Sequence, residues 1–307
     1  GSVTCLVIIV LEVIVSLFMN GFIVLVIFCN WLKGEITASV NKILVALSIS
    51  NMCFAAMSLI SVLVTVFWRQ IQQTDYTNFA FLWVTMLCLT SCSWLTACLC
   101  FFFFIKIVNF SSGWLAGLKT RIDSSVHWLI LVAEVVVFCS VFIQVLIHVV
   151  SLELERIKSV NSSFDASQKA SLSYLNSHVD FMANCVSLLI IFGTTLSTIC
   201  FLKLHSHRMK RKLGTSSTAP LKTHRRPVIM MISFLLFYAV YYVELFSLSF
   251  VHFSRFSIEF WLLLISMFSF TPCQSIILIW FSPKLREAFK TFLYSFIYRN
   301  TKYEDSL

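Results

Sequence analysis

The sequence predicts an all-α membrane protein: a bundle of seven transmembrane helices followed by a C-terminal amphipathic, interfacial helix. Three observations predict it. Of 307 residues, 59% are hydrophobic and only 12% charged, whereas soluble domains carry about 25% charged residues, so the charges are too few to coat a water-facing surface. Seven apolar runs are long enough to cross the hydrocarbon core, which takes roughly 20 residues of helix. Lys and Arg are also shared unequally between the two sets of connections that these runs define.

The first run, 5–30, follows Gly1-Ser2, which reads as a trimmed start. It has no basic segment before it and no small-residue cleavage site after it, so it is expected to stay as a helix and not to be removed as a signal peptide. Runs two and three, 42–67 and 79–107, are separated by "QIQQTDYTN" (70–78). Runs four and five, 127–150 and 179–202, flank a long connection at 151–178. Run six, 228–251, follows "GTSSTAPLKTHRRP" (214–227), and run seven is 260–281. Residues 1–281 are thus the expected bundle, and 282–307 an amphipathic helix and tail. In "SPKLREAFKTFLYSFIYR" (282–299), Leu285, Phe289, Phe292 and Phe296 recur at spacings of four, three and four, with Lys284, Arg286 and Lys290 off that face. Such a face suits a helix lying on the membrane surface rather than an eighth span.

Charge sets the orientation. The connections after spans one, three and five, with the tail, hold eighteen Lys and Arg; the opposite side holds Arg69, Arg156, Lys158, Lys169 and Arg255. By the positive-inside rule the N-terminus is expected outside and the tail in the cytosol. The net charge of +9 is then a topology signal. No soluble basic domain exists to read nucleic acid. The sequon Asn109-Phe110-Ser111 falls on the cytoplasmic side and is expected to stay silent, whereas Asn161-Ser162-Ser163, in the outer loop, is the expected glycan acceptor.

Enzyme and metal chemistry find no footing. The eleven cysteines lie almost entirely within apolar runs, where a reduced thiol acts as a small hydrophobe. No CxxC pair sits beside His in a polar loop, and the seven histidines are scattered or lie at membrane boundaries. Seven glycines offer no phosphate-binding loop. Neither a metal nor a cofactor is expected.

Seven spans in this orientation suit a G-protein-coupled receptor, yet marks of its most familiar branch are missing. Span three ends in "FFFFIK" (101–106) without Asp/Glu-Arg-Tyr, span seven lacks Asn-Pro-x-x-Tyr, and the loop 151–178 has no cysteine. What is present resembles the vertebrate bitter taste receptors, the type 2 taste receptors. "WLTACLCFFFFIKIVNFS" (94–111) followed by "LKTRI" (118–122) is similar to that family's span-three ending. "ALSIS" (46–50), "THRRP…SFLLFYAVYY" (223–242) and "SIILIWFSPKLREAF" (275–289) resemble its spans two, six and seven, and His205 and Met209 match its span-five ending. Asn20 stands where the family has Asn. The departures are Asn51 for a usual Arg, Ser187 for Pro, Phe103 for Tyr, Gln274 for His and Pro227 for Ala. Asn20 and Asn51 are expected to bond as uncharged partners between spans one and two.

An ionisable group inside a span is costly and draws a functional reading. Glu12 lies in the outer half of span one, Glu134 in the inner half of span four, Asp180 at the outer end of span five and Glu244 in the outer half of span six. Glu134 is too far inward for a ligand from outside and reads as a structural contact; Asp180 reads equally as a solvated interfacial group. Tyr241, Glu244 and Leu248 follow spacings of three and four, which places them on one helix face. The resemblance makes this face part of the ligand pocket. There Glu244 would pair with a protonated amine, with Tyr241 adding a cation–π contact; a neutral acid bonded to another helix is the alternative. By family register, Thr85 and Leu89 of span three form the opposite wall, helped by Trp83, and Leu264 of span seven adds to it. The expected ligand is a small amphipathic cation. Lys106, Lys119, Arg121, His205, Met209 and His224 are the expected coupling surface. The basic group around His205 and His207 also suits attraction to anionic membrane lipid. The resemblance implies gustducin or a Gi-type G protein as partner, with calcium release downstream. A vomeronasal-type pheromone receptor and a seven-helix transporter are the competing readings, although no repeat or broken helix favours the latter.

Overall fold

The computed structural model describes residues 2–34, 38–67, 75–108, 114–160, 185–204, 207, 219–250 and 258–304. All are helix apart from short joints. The helices are α1 (Ser2–Leu32), α2 (Ser39–Phe67), α3 (Asp75–Ile107), α4 (Trp114–Val160), α5 (Cys185–Leu204), α6 (Ala219–Phe250), α7 (Ile258–Phe281) and α8 (Pro283–Glu304). Seven of them, α1 to α7, are long and apolar enough to cross a membrane. The reason is backbone chemistry: hydrocarbon offers no partner for N–H and C=O, so a spanning segment must close its own ladder.

The spanning helices are apolar nearly all round. On α1, Ile9, Val13 and Ile23 are buried while Leu11, Ile14, Phe18 and Leu25 are exposed large hydrophobics. Such exposure is costly in water and neutral in lipid. Inside the bundle, α3 is the central element: 72% of its most apolar stretch is buried, against 22% for α4 and 28% for α1. Leu95, Leu99, Cys100 and Ile105 of α3 have no exposed surface. They belong to one large core that also takes Tyr238, Tyr241 and Tyr242 of α6 and Leu278 of α7. A second, smaller core joins Ile9 and Val13 of α1, Ala55 of α2, and Trp261 and Phe268 of α7, towards the end of the bundle that holds the N-terminus.

Two helices overrun the expected apolar runs by well over one turn. Helix α4 runs from Trp114 to Val160, so Lys119, Arg121 and Asp123, and residues 151–160 of the expected loop 151–178, are helical rather than part of irregular connections. Helix α6 begins at Ala219 and carries Pro227 inside it. Hydropathy marks only the part of a helix that lies in hydrocarbon, and a helix is free to continue into water. There the hydroxyls of Thr120 and Ser124 donate to the carbonyls of Gly117 and Arg121, both at 2.8 Å.

The C-terminal helix follows α7 after one residue. Ser282 N–H donates to Leu278 O at 3.1 Å, and Arg286 N–H donates to Ser282 O at 2.9 Å. Pro283 begins α8, at a position where a missing N–H costs nothing. Its apolar face docks on α1: Leu285 is 2% exposed, Phe289 meets Phe22 edge-on at 5.3 Å, and Phe292 lies 6.0 Å from Phe18.

Candidate functional site

The candidate ligand residues sit above an aromatic cluster between α6 and α7. Tyr241 is 3% exposed, with its ring 4.6 Å from Phe270 and 5.6 Å from Tyr242. Tyr238 meets Phe270 edge-on at 5.2 Å. Three residues beyond Tyr241, the half-buried Glu244 carboxylate accepts a hydrogen bond from the Ser266 hydroxyl of α7. Tyr241 and Glu244 thus both lie on the side of α6 that faces α7. Leu248 follows on α6, with its side chain outside the described residues.

Across from them on α3, Leu89 is 5% exposed and joins the same core as Tyr241 and Tyr242. Thr85 is half-buried and donates to its own helix, to Phe81 O at 2.8 Å, so it presents a methyl group and an acceptor oxygen rather than a free donor. Trp83, two residues before Thr85, is half-buried. Leu264 is not brought to this group. It packs with the smaller core of α1, α2 and α7, because α7 is apolar on several faces and its pattern does not mark which one turns to α6. Asp180 and Asn161 lie outside the described residues.

Four polar junctions cross the bundle. Gln274 Nε2 donates to Thr96 Oγ1 at 2.7 Å and to the Tyr238 hydroxyl at 3.2 Å, and Tyr238 donates to Cys92 O at 3.0 Å. The Ser187 hydroxyl bonds Ser93 and lies 2.9 Å from the Tyr242 hydroxyl, itself 2.8 Å from Ser93. Asn51 Nδ2 donates to Asn20 Oδ1 at 3.2 Å, and Asn20 continues to Ser16 O at 2.9 Å. Ser16 in turn donates to Thr271 at 2.8 Å. Ser91 donates to Glu134 at 2.6 Å and lies 3.0 Å from Ser50, so this carboxylate holds α4 to α3 and α2.

Sequence reasoning placed the Asn20–Asn51 contact but missed the roles of Ser187 and Gln274. In the sequence both stand out only as departures from a family pattern, yet each is fully buried and bonded across helices. The available signal was "LTSCSWLT" (89–96), with hydroxyls at 90, 91, 93 and 96 in a spanning helix. Such groups in hydrocarbon need partners.

At the α8 end, Lys106 pairs with Asp123 of α4, their side chains 40% and 52% exposed, and its ammonium lies 5.6 Å from the Phe102 ring centre. Lys119 donates to Val108 O at 3.1 Å, tying α4 back to the end of α3. Arg121 is exposed nearby. A cavity of about 450 Å³ opens at the same end of the bundle, lined by Val40 and Leu44 of α2, Phe103 of α3, Arg226 and Pro227 of α6, Leu278 of α7 and Pro283 of α8. His205 and Met209 lie outside the described residues, and His224 is in α6 with its side chain likewise outside them.

The arrangement is that of the seven-helix G-protein-coupled receptors. It superposes on the crystal structure of squid rhodopsin with a TM-score of 0.59 over 95% of this chain and 85% of that one, at 14% identity, a likeness of fold alone. The family described as Taste receptor protein (TAS2R) matches residues 1–296. Taste receptor type 2 member 140 of Rattus norvegicus is 28% identical over 297 residues, 94% of this chain and 93% of the relative. Taste receptor type 2 member 43 of Homo sapiens is 26% identical over 288 residues, 92% and 90% respectively. The chain belongs to the type 2 taste receptor family, the bitter taste receptors. It is a multi-pass membrane receptor that acts through a G protein on binding small molecules, and it is not an enzyme. The pheromone-receptor and transporter readings are not favoured.

Proposed function

We propose that this bitter taste receptor stands in the plasma membrane with its N-terminus outside and its tail in the cytosol. In this reading it takes small amphipathic, cationic bitter compounds from outside into the space between α3, α5, α6 and α7. The observation that carries the ligand chemistry is Glu244, a half-buried carboxylate held by Ser266 beside buried Tyr241. A protonated amine competes with the Ser266 hydroxyl for that carboxylate, and a hydrogen bond to a charged group is worth about 1.5–3 kcal/mol. Leu248, Thr85, Leu89 and Trp83 supply the remaining wall, with Asp180 at its margin.

Agonist binding shifts the bundle towards the arrangement that admits a G protein, by no more than its differential affinity for the two states. The partner is gustducin or a Gi-type relative, met by Lys106, Lys119, Arg121, His205, Met209 and His224. Eighteen basic residues on one side against five on the other support the orientation. Asn161 carries the glycan on the outer loop, and anionic lipid attracts the basic end of α5.

The test is intracellular calcium in cells that express the chain with a gustducin-like chimeric G protein, challenged with cationic alkaloids. A dose-dependent response absent from mock cells, and weakened in Glu244→Gln, is expected. A Glu244→Gln receptor that responds normally to a cationic agonist overturns the assignment of Glu244.

A further inference from the structure

A groove of about 400 Å³ opens between α1 and α2, lined by Val24, Ile27, Phe28 and Trp31 of α1 and by Lys42 and Val45 of α2, with Asn41 beside Lys42. Its inner wall is apolar: Ile27 is 6% exposed. Its rim consists of Phe28 and Trp31, 51% and 60% exposed, with ring centres 5.7 Å apart. Lys42 is exposed and stands in the first turn of the 29-residue α2. One end of the groove therefore combines an ammonium, an indole and the positive end of a helix dipole. The rest offers only aliphatic and Phe side chains.

This layout fits an amphiphile with a negative head and a long apolar body. In a bilayer the surroundings supply that molecule. Trp and Lys at the end of a spanning helix sit at head-group depth, which leaves the aliphatic stretch of the groove at acyl-chain depth. The positive charge then selects among lipids, because a Lys near the surface favours an anionic head by electrostatics alone.

We propose that the α1–α2 groove is a binding site for one anionic phospholipid. Its head group rests on Lys42 and the N-terminus of α2, and an acyl chain runs along Val24, Ile27 and Val45 beneath Phe28 and Trp31. The site is distinct from the residues proposed for the agonist and from the cavity of about 450 Å³ at the α8 end, whose lining shares no residue with it. Only the naming of the leaflet, cytoplasmic, rests on the orientation proposed above.

The test uses the full receptor in nanodiscs of uniform lipid composition, carrying phosphatidylserine with a photoactivatable acyl chain, followed by mapping of the labelled peptides. Label is expected on 24–31 and 41–45, displaced by excess unlabelled phosphatidylserine and not by phosphatidylcholine. Lys42→Gln is expected to lower it about fivefold and Lys42→Arg to retain it. Val24→Trp, which fills the groove, is expected to abolish it while the thermal unfolding midpoint stays unchanged. Equal labelling by a phosphatidylcholine probe, displacement by cholesterol, or a label indifferent to Lys42→Gln overturns the proposal. Both leaflets being alike, the outcome does not depend on orientation, which is read separately by antibody access to terminal tags on intact cells.

Discussion

Gln274 on α7 donates its side-chain amide to the Thr96 hydroxyl on α3 across 2.7 Å, both groups being fully buried. The same amide reaches Tyr238 on α6, so one side chain fastens three helices. A hydrogen bond of this kind in a membrane protein is worth on average about 0.6 kcal/mol and at most about 1.7. Gln274→Leu removes both bonds and leaves two hydroxyls to repartner. We expect a loss of about 1 kcal/mol of thermal stability, together with higher basal signalling, measured by agonist-free G-protein nucleotide exchange. Unchanged basal exchange in a destabilised Gln274→Leu receptor would separate the junction from restraint of the inactive state.

Glu244 and Ser266 give a ligand-side prediction. Glu244→Gln is expected to raise the half-maximal concentration of a cationic agonist at least about tenfold, the equivalent of 1.4 kcal/mol, and to leave uncharged agonists within about twofold. Ser266→Ala frees the carboxylate from its protein partner, so it is expected to move the cationic response the opposite way. Dose–response curves for one charged and one neutral agonist on each variant check both.

Asn20 and Asn51 form an uncharged pair, so their coupling is expected to be small. A double-mutant cycle with Asn20→Ala and Asn51→Ala is predicted to give about 0.5–1 kcal/mol of interaction energy by thermal unfolding in detergent. A coupling near zero would mean that the Asn20–Ser16–Thr271 chain, and not the pair itself, holds α1.

Lys106 and Asp123 are both well exposed, and such pairs contribute about 0–1 kcal/mol. Asp123→Asn is therefore expected to leave the unfolding midpoint unchanged. Lys106→Gln, by contrast, is expected to reduce agonist-stimulated nucleotide exchange several-fold at normal surface expression. Parallel loss of expression in both variants would assign the pair to folding instead.

The two sequons divide on orientation. Asn161→Gln is expected to remove one glycan and speed gel migration, whereas Asn109→Gln is expected to change nothing before or after glycosidase treatment. The reverse result would invert the proposed topology.

What could be read from the sequence follows from what hydrocarbon demands. The seven spans show in hydropathy because no other structure satisfies the backbone there. The amphipathic character of α8 shows in the spacing of Leu285, Phe289 and Phe292, because water on one side and an apolar surface on the other impose a pattern, although the pattern does not say that helix α1 forms part of that surface. That contrast is missing within the bundle. Lipid is as apolar as leucine, so α7 carries no stripe to say that Leu264 turns towards α1 and α2. The hydroxyls of Ser93, Thr96, Ser187 and Tyr242 were equally visible as residues, but their pairing depends on how α3, α5 and α6 are rotated, which no local pattern records. The start of α4 at Trp114 was hidden for a simpler reason: a helix in water leaves no hydropathy signature.

The unequal burial of the helices has a consequence for inherited variation. An allele that swaps one aliphatic side chain for another on the exposed surface of α4, at Leu131, Val132 or Val135, exchanges one lipid-like surface for a second and is expected to leave taste thresholds alone. The same chemical change at Leu95 or Leu99 of α3 disturbs every neighbouring helix at once. Perceptual differences between carriers are thus expected to trace to α3 far more often than its share of the chain would suggest, and population surveys of this receptor are best weighted by helix rather than by residue type.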